Sequence, residues 1–171
     1  MDIAVATRPV QDDDLGRFLR MWPRLSPETR YRRFHSPVHR LPMDLVHRLV
    51  EVDHADREAV VAVVGGEVVG VARYDRSPTD PTEAEFAVLV EDDWQNVGLG
   101  RQLLGELTRL AARRGVRTLT ATVQADNDRM VWLIRRLLPD SRLVRDSGVY
   151  AVASPLRVPP TTVGVPAAVP C

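Results

Sequence analysis

The chain has 171 residues, of which 44% are hydrophobic, and its 23 basic residues balance its 23 acidic residues. This length and apolar content predict one domain with its own core, and the balanced charge predicts neither a nucleic-acid partner nor a membrane partner. Every basic residue is an arginine, which excludes Walker-type phosphate loops, Schiff-base enzymes and pyridoxal-phosphate enzymes because each of them requires a lysine.

The first part of the chain favours one strand followed by three short helices. An acidic run, a Ser-Pro pair and a further proline mark the points where the helices begin. The predicted spans are Ile3 to Thr7 for a strand ended by Arg8-Pro9, Asp12 to Trp22 and Ser26 to Phe34 for two helices, and a third helix after Leu41-Pro42.

The remainder alternates between β-branched runs and segments with helical period. A Gly-Gly turn joins the first two runs into a hairpin, Gly115 ends the longest helix and Pro139 ends the last one. The predicted elements are strands at Ala59 to Val64, Glu67 to Tyr74, Ala84 to Val90 and Thr118 to Val123, helices at Leu99 to Arg114 and from Asp126 or Asn127 to Leu138, and two short strands between Arg142 and Val152.

This mixed order of elements predicts a single α/β (α+β) domain over residues 1–154. Four further prolines among small apolar residues predict an extended or disordered tail over residues 155–171. The one cysteine is Cys171, which leaves no disulfide framework, and the apolar runs are too short to span a bilayer. We therefore expect a cytoplasmic protein.

The four histidines lie within one stretch but do not have metal-ligand spacing. His35 and His39 could share a helical face only if Pro37 did not break it, and no carboxylate-rich set accompanies them or His47 and His54. The sequence predicts no metal site and favours histidines at the surface or in an acceptor cleft.

A glycine-rich turn stands between the strand that ends at Val90 and the helix that begins at Leu99. A helix N-terminus presents unpaired backbone N–H groups, and glycines at Gly98 and Gly100 allow a phosphate to approach the backbone closely. The pattern predicts an anion site, although G-x-G alone also fits a plain tight turn.

In this context, Gln95-Asn96-Val97-Gly98-Leu99-Gly100 resembles the Q/R-x-x-G-x-G/A signature of the GNAT N-acetyltransferase family. The stretch from Asn127 to Leu133 resembles a second GNAT motif, and Leu25 to Phe34 is similar to the early segment of Pat-type bacterial protein acetyltransferases. The resemblance covers about Val5 to Val152. It implies a central mixed, mostly antiparallel twisted sheet flanked by helices, with acetyl-CoA as cosubstrate.

The resemblance also implies a set of coenzyme A contacts. The glycine-rich loop would hold the pyrophosphate, a backbone N–H of the preceding strand would polarise the thioester carbonyl, and the asparagine of the second motif would contact the cofactor, although asparagine there also suits a plain helix cap. The candidate residues are Val88, Leu89, Val90, Gln95, Asn96, Val97, Gly98, Leu99, Gly100, Arg101 and Asn127.

Glu85 is the candidate catalytic residue. Acetyl transfer to an amine needs a base, because a lysine-like amine has a pKa of about 10.4 in water. Glu85 interrupts an apolar strand, where we expect partial burial, and it lies ten residues before Gln95, as the base does in Pat-like enzymes. The alternatives are Glu83 as the base, or a structural salt bridge for Glu85.

The general acid and the acceptor stay open. Ile134 follows Leu133, where the family often has a tyrosine that acts as general acid. Leu138-Pro139 also replace the Gly-Phe pair that is usual in the family. Tyr150 is then a weak candidate for the general acid. With neither a lysine nor an internal cysteine, we expect direct attack in a ternary complex by a protein lysine or a small amine.

Two other interpretations remain for the whole chain. A degenerate GNAT domain could bind acetyl-CoA as a sensor or scaffold without turnover. A dinucleotide-binding fold fits less well, because Leu103 stands at the third glycine position of its fingerprint and several helices precede the motif.

Overall fold

The computed structural model describes residues 5–157. They form seven strands and five helices, with short 3-10 turns at Asp12–Asp14, Trp22–Arg24 and Asp92–Trp94. The strands are β1 Ala6–Pro9, β2 Arg57–Val64, β3 Glu67–Arg76, β4 Glu83–Val90, β5 Thr118–Gln124, β6 Arg142–Asp146 and β7 Val149–Pro155. The helices are α1 Leu15–Met21, α2 Pro27–Phe34, α3 Met43–Val50, α4 Leu99–Arg113 and α5 Asp128–Leu137.

All seven strands belong to one sheet in the order β1-β2-β3-β4-β5-β7-β6. Each neighbouring pair is antiparallel except β4 and β5, which are parallel and pair only from Glu83–Thr118 to Glu85–Thr120. The prediction of a mixed, mostly antiparallel sheet flanked by helices is therefore confirmed.

The two faces of the sheet bury separate cores. The larger core packs α4 and α5 against the sheet through fully buried leucines such as Leu103, Leu107 and Leu119. The smaller core packs α1 and α3 against the other face around Phe18 and Met21. This three-layer arrangement follows from the alternation of apolar residues along the central strands and the helical apolar stripes.

The order and type of the predicted elements agree with the structure, and the bounds differ at several places, for example at the start of β2 and the end of β3. Strand β1 continues through Arg8-Pro9, which were expected to end it, because an edge strand tolerates proline where no partner needs its N–H. Strand β7 runs to Pro155, so the domain extends past residue 154. The predicted tail from residue 158 onward, with Cys171, lies outside the described residues.

Candidate functional site

A cleft opens where β4 and β5 separate. The two strands pair up to Glu85 and Thr120, and beyond these residues the pairing between them ends. The cleft that follows has a volume of about 830 Å³ and is lined by the exposed edge of β4 from Glu85 to Val90, by β5 and by the N-terminal turns of α4 and α5. A cleft of this size can hold a drug-sized or larger ligand.

The floor at one end of the cleft is the turn that leads into α4. Gly98 caps that helix with a left-handed φ of +89°, and Asn96 also has a positive φ of 63°. The turn thereby leaves backbone N–H groups at the start of a 15-residue helix facing the cleft end. Such a terminus favours an anion through both its hydrogen-bond donors and the helix dipole.

The side chain of Gln95 connects this turn to three other elements. Its Nε2 donates to the Thr29 hydroxyl of α2 at 3.1 Å and to the Val90 carbonyl of β4 at 3.0 Å. Its Oε1 accepts a hydrogen bond from the guanidinium of Arg129 on α5. Gln95 thus fixes the turn against the helices on both sides of the cleft.

Asp92 joins the same turn to the start of α2. Its carboxylate accepts hydrogen bonds from the Ser26 backbone N–H at 2.8 Å, the Ser26 hydroxyl at 2.6 Å and the Thr29 hydroxyl at 2.9 Å. Burial would raise the pKa of Asp92, but these hydrogen bonds outweigh it and hold that pKa below its ordinary value. The ionised carboxylate therefore stabilises the folded chain.

We expect Asp92→Asn to lower the free energy of unfolding by about 2 kcal/mol at neutral pH, since a charged hydrogen-bond acceptor is lost. The stabilisation is present above the unfolded pKa of about 4 and is lost as pH falls through the lower folded pKa. Urea unfolding from pH 7 to 3 should show the difference from wild type shrinking below about pH 4. Asp93→Asn, at an exposed neighbour, is the matched control; a pH-independent difference for Asp92→Asn contradicts the prediction.

Glu85 stands at the other end of the cleft, at the branch point of the two strands. Its side chain is exposed, so the expectation of partial burial is wrong, and the described residues offer it no ion pair. It lines the cleft beside Phe86 and opposite the last turn of α2, which contributes Arg33 and His35. An unpaired carboxylate at this place can accept a proton from a group that enters the cleft.

Comparison with known protein families shows the family to which the chain belongs. The model of the Acetyltransferase (GNAT) family matches residues 18–138, which is well over half of the chain. The chain belongs to the GNAT acetyltransferase family. The crystallised GNAT domain of S. lividans PAT is 31% identical to it with a TM-score of 0.81, over 89% of this chain and 90% of that one.

The alignments with curated GNAT relatives cover only part of each chain. The Acetyltransferase Pat of Mycolicibacterium smegmatis is 39% identical over 132 residues, which make up 76% of this chain and 39% of that protein. The L-methionine sulfoximine/L-methionine sulfone acetyltransferase of Pseudomonas aeruginosa is 34% identical over 103 residues, 56% of this chain and 60% of that protein. The chain therefore spans less than two thirds of either relative.

Most residues predicted to contact the cofactor line the GNAT cleft. They are Val88, Leu89, Val90, Gln95, Asn96, Gly98, Gly100, Arg101 and Asn127. The side chains of Val97 and Leu99 do not, because Val97 is 66% exposed away from the cleft and Leu99 is buried in the larger core. Asn127 also caps α5, since its Oδ1 accepts from the Met130 N–H at 3.2 Å.

Tyr150 is the weak candidate for the general acid. This side chain packs beside the larger core and does not line the cleft, to which no tyrosine within residues 5–157 contributes.

Of the histidines, His35 reaches the cleft, while His47 and His54 pair with carboxylates elsewhere. In that same part of the chain, no group of three or more His, Cys, Asp or Glu is placed to hold a metal ion.

Sequence reasoning missed several residues in and beside the GNAT cleft. Thr29, Arg33 and Asp92 had no assigned role, and the exposed ring of Trp132 on α5 also lines the opening. Arg129 could have been predicted as a site residue, because it lies in the second GNAT motif close to Asn127.

None of the helices within residues 5–157 is long and apolar enough to cross a membrane.

Proposed function

We propose that this chain transfers the acetyl group of acetyl-CoA to a primary amine, with Glu85 as the general base. The observation that carries this proposal is that one cleft holds both an anion-binding turn at Gly98 and an unpaired carboxylate at Glu85. A cosubstrate that spans the cleft would have its phosphates at one end and its thioester near the other.

The donor end suits the pyrophosphate of coenzyme A. The backbone N–H groups at the start of α4 would donate to it, and the exposed Arg101 supplies positive charge at the same end. The free edge of β4, from Val88 to Val90, would offer a backbone N–H to the thioester carbonyl. This assignment places one ligand against the glycine-rich turn, Arg101 and the free edge of β4.

The chemistry follows from the groups present. The amine nitrogen attacks the thioester carbon and forms the C–N bond, the C–S bond breaks, and Glu85 removes the proton that the nitrogen loses. The thiolate of coenzyme A leaves and is protonated by solvent, because the cleft has no tyrosine to act as acid. Since the chain has no lysine and its one cysteine is Cys171, direct attack in a ternary complex is the economical route.

The acceptor is a protein lysine or a small amine. The resemblance of Leu25 to Phe34 to Pat-type protein acetyltransferases supports a protein acceptor. The sulfoximine acetyltransferase acts, by its name, on a small molecule. The alternative function is a sensor or scaffold that binds acetyl-CoA without turnover, which the lack of a cleft tyrosine supports.

Thiol release from acetyl-CoA with a panel of amines and lysine peptides tests this function. We expect release that depends on the amine, and initial rates whose double-reciprocal lines intersect, as a ternary complex requires. Parallel lines would contradict direct attack. Tight binding of acetyl-CoA without thiol release across the panel would favour the sensor, and stabilisation by NAD rather than acetyl-CoA would contradict both.

A further inference from the structure

Arg33, on the last turn of α2, is a cleft arginine for which the described residues provide no hydrogen bond or ion pair. Its neighbours on that helix are occupied: Arg30 donates to the Trp22 carbonyl and stacks on that ring, and Arg32 pairs with Glu28 at 2.6 Å. The Arg33 guanidinium lies over the ring of Phe34, 4.9 Å from its centroid, and it borders the cleft that also contains Glu85.

The surroundings of Arg33 favour the binding of a negatively charged group by its guanidinium. Burial, helped by the positive charge of Arg73, lowers the pKa of Arg33 to about 10, while the carboxylates of Glu85 and Asp75 oppose that shift. Arg33 therefore stays protonated at neutral pH but has lost part of its hydration. A partly desolvated guanidinium gains more from a carboxylate than a fully hydrated one does.

The other charges nearby do not satisfy Arg33. Arg73 is buried and makes a bidentate pair with Asp75, with contacts of 2.7 and 3.1 Å, so these two residues neutralise each other. Glu85 is near enough to influence Arg33 but does not come within 4.0 Å of it as an ion pair. Among the described residues, Arg33 and Glu85 therefore remain as a positive and a negative side chain without ion-pair partners on neighbouring parts of the cleft wall.

We propose that Arg33 binds a carboxylate of the acceptor, so that the favoured acceptor is an amine with a carboxylate close to its amino group. The ammonium would lie at Glu85 and the carboxylate at Arg33, whose planar fork can donate two parallel hydrogen bonds. This inference rests on the proposed acetyl transfer, and it makes Arg33 a specificity residue for the acceptor. The carboxylate can belong to a free amino acid or to an acidic residue beside a lysine in a peptide.

The test compares acceptors with and without this carboxylate, and the comparison between wild type and variant separates the effect of Arg33 from the basicity of the amine. Free amino acids are compared with their amides, and peptides with lysine beside glutamate are compared with peptides with lysine beside glutamine, in wild type, Arg33→Gln and Arg33→Lys. We expect Arg33→Gln to lower kcat/KM about 10- to 100-fold for the carboxylate forms, as one charged hydrogen-bonded pair is lost, and to change the amide forms little. Arg33→Lys should restore part of the preference because it keeps the charge.

Arg109→Gln, on the exposed side of α4, is the charge-matched control and should behave as wild type. If wild type prefers the free amino acids over their amides, an amino acid supplies the carboxylate. If it prefers the peptides with glutamate over those with glutamine, the acidic residue beside the lysine supplies it. Equal losses for the acid and amide forms in Arg33→Gln, or weaker acetyl-CoA binding in that variant, would overturn the inference.

If no amine is acetylated, the proposed function fails, and thermal shifts of the coenzyme A-saturated protein then decide the role of Arg33 separately. Stabilisation by the amino acids over their amides in wild type, absent in Arg33→Gln, would support it. Equal shifts with both forms would overturn it.

Discussion

Glu85→Gln is expected to lower kcat by about 10²- to 10⁴-fold, the usual contribution of a positioned general base. Glutamine keeps the size and polarity of the side chain but cannot accept the proton that the attacking amine must lose. Since the turn proposed to bind the pyrophosphate lies at the other end of the cleft, the dissociation constant for acetyl-CoA should stay close to that of wild type. Thiol release at saturating amine and calorimetric titration with acetyl-CoA measure the two quantities.

Glu83→Gln is the matched control, because Glu83 lies on the same strand two residues away but does not line the cleft. Glu85 is exposed, so neither variant should alter the melting temperature substantially. A turnover rate near that of wild type for Glu85→Gln would remove this residue from the reaction. A larger loss for Glu83→Gln would instead make Glu83 the base.

The sequence predicted the elements well where the pattern is local. The Gly65-Gly66 hairpin and the apolar stripe of α4 depend on turn chemistry and helical period, which a short window of sequence contains. The insertion of β5 between β4 and β7, in contrast, depends on long-range packing. The resemblance to the family supplied the sheet arrangement, which periodicity alone could not have indicated.

The arrangement of the site depends even more on long-range packing. The motif placed Leu99 among the cofactor contacts, while the helical period placed it on the apolar face of α4, and the buried side chain follows the period. Gln95 belongs to the predicted loop, but its hydrogen bond to Thr29 joins residues far apart in the chain. Only the folded chain brings Arg33 near Glu85, so no spacing in the sequence points to that pair.

Gly98→Val is expected to weaken acetyl-CoA binding by about 10- to 100-fold, equivalent to losing one hydrogen bond to a charged group. Gly98 has a φ of +89°, which a β-branched residue adopts only with strain, so the turn should shift and its N–H groups should lose their alignment with the phosphates. Beyond its immediate chain neighbours, a Cβ at Gly98 would meet nothing within 4 Å, so backbone conformation rather than a steric clash accounts for the effect. Calorimetric titration with acetyl-CoA measures the change.

Gly66→Val separates loss of the site from general loss of stability. Gly66 has a similar φ of +82° and the same open space, but it lies in the β2–β3 turn and does not line the cleft. Both variants should lower the free energy of unfolding by about 1–3 kcal/mol, the cost of a non-glycine residue in that region. Only Gly98→Val should lose affinity for acetyl-CoA, because only there does the strained backbone form the phosphate site; equal losses in both variants would contradict that role.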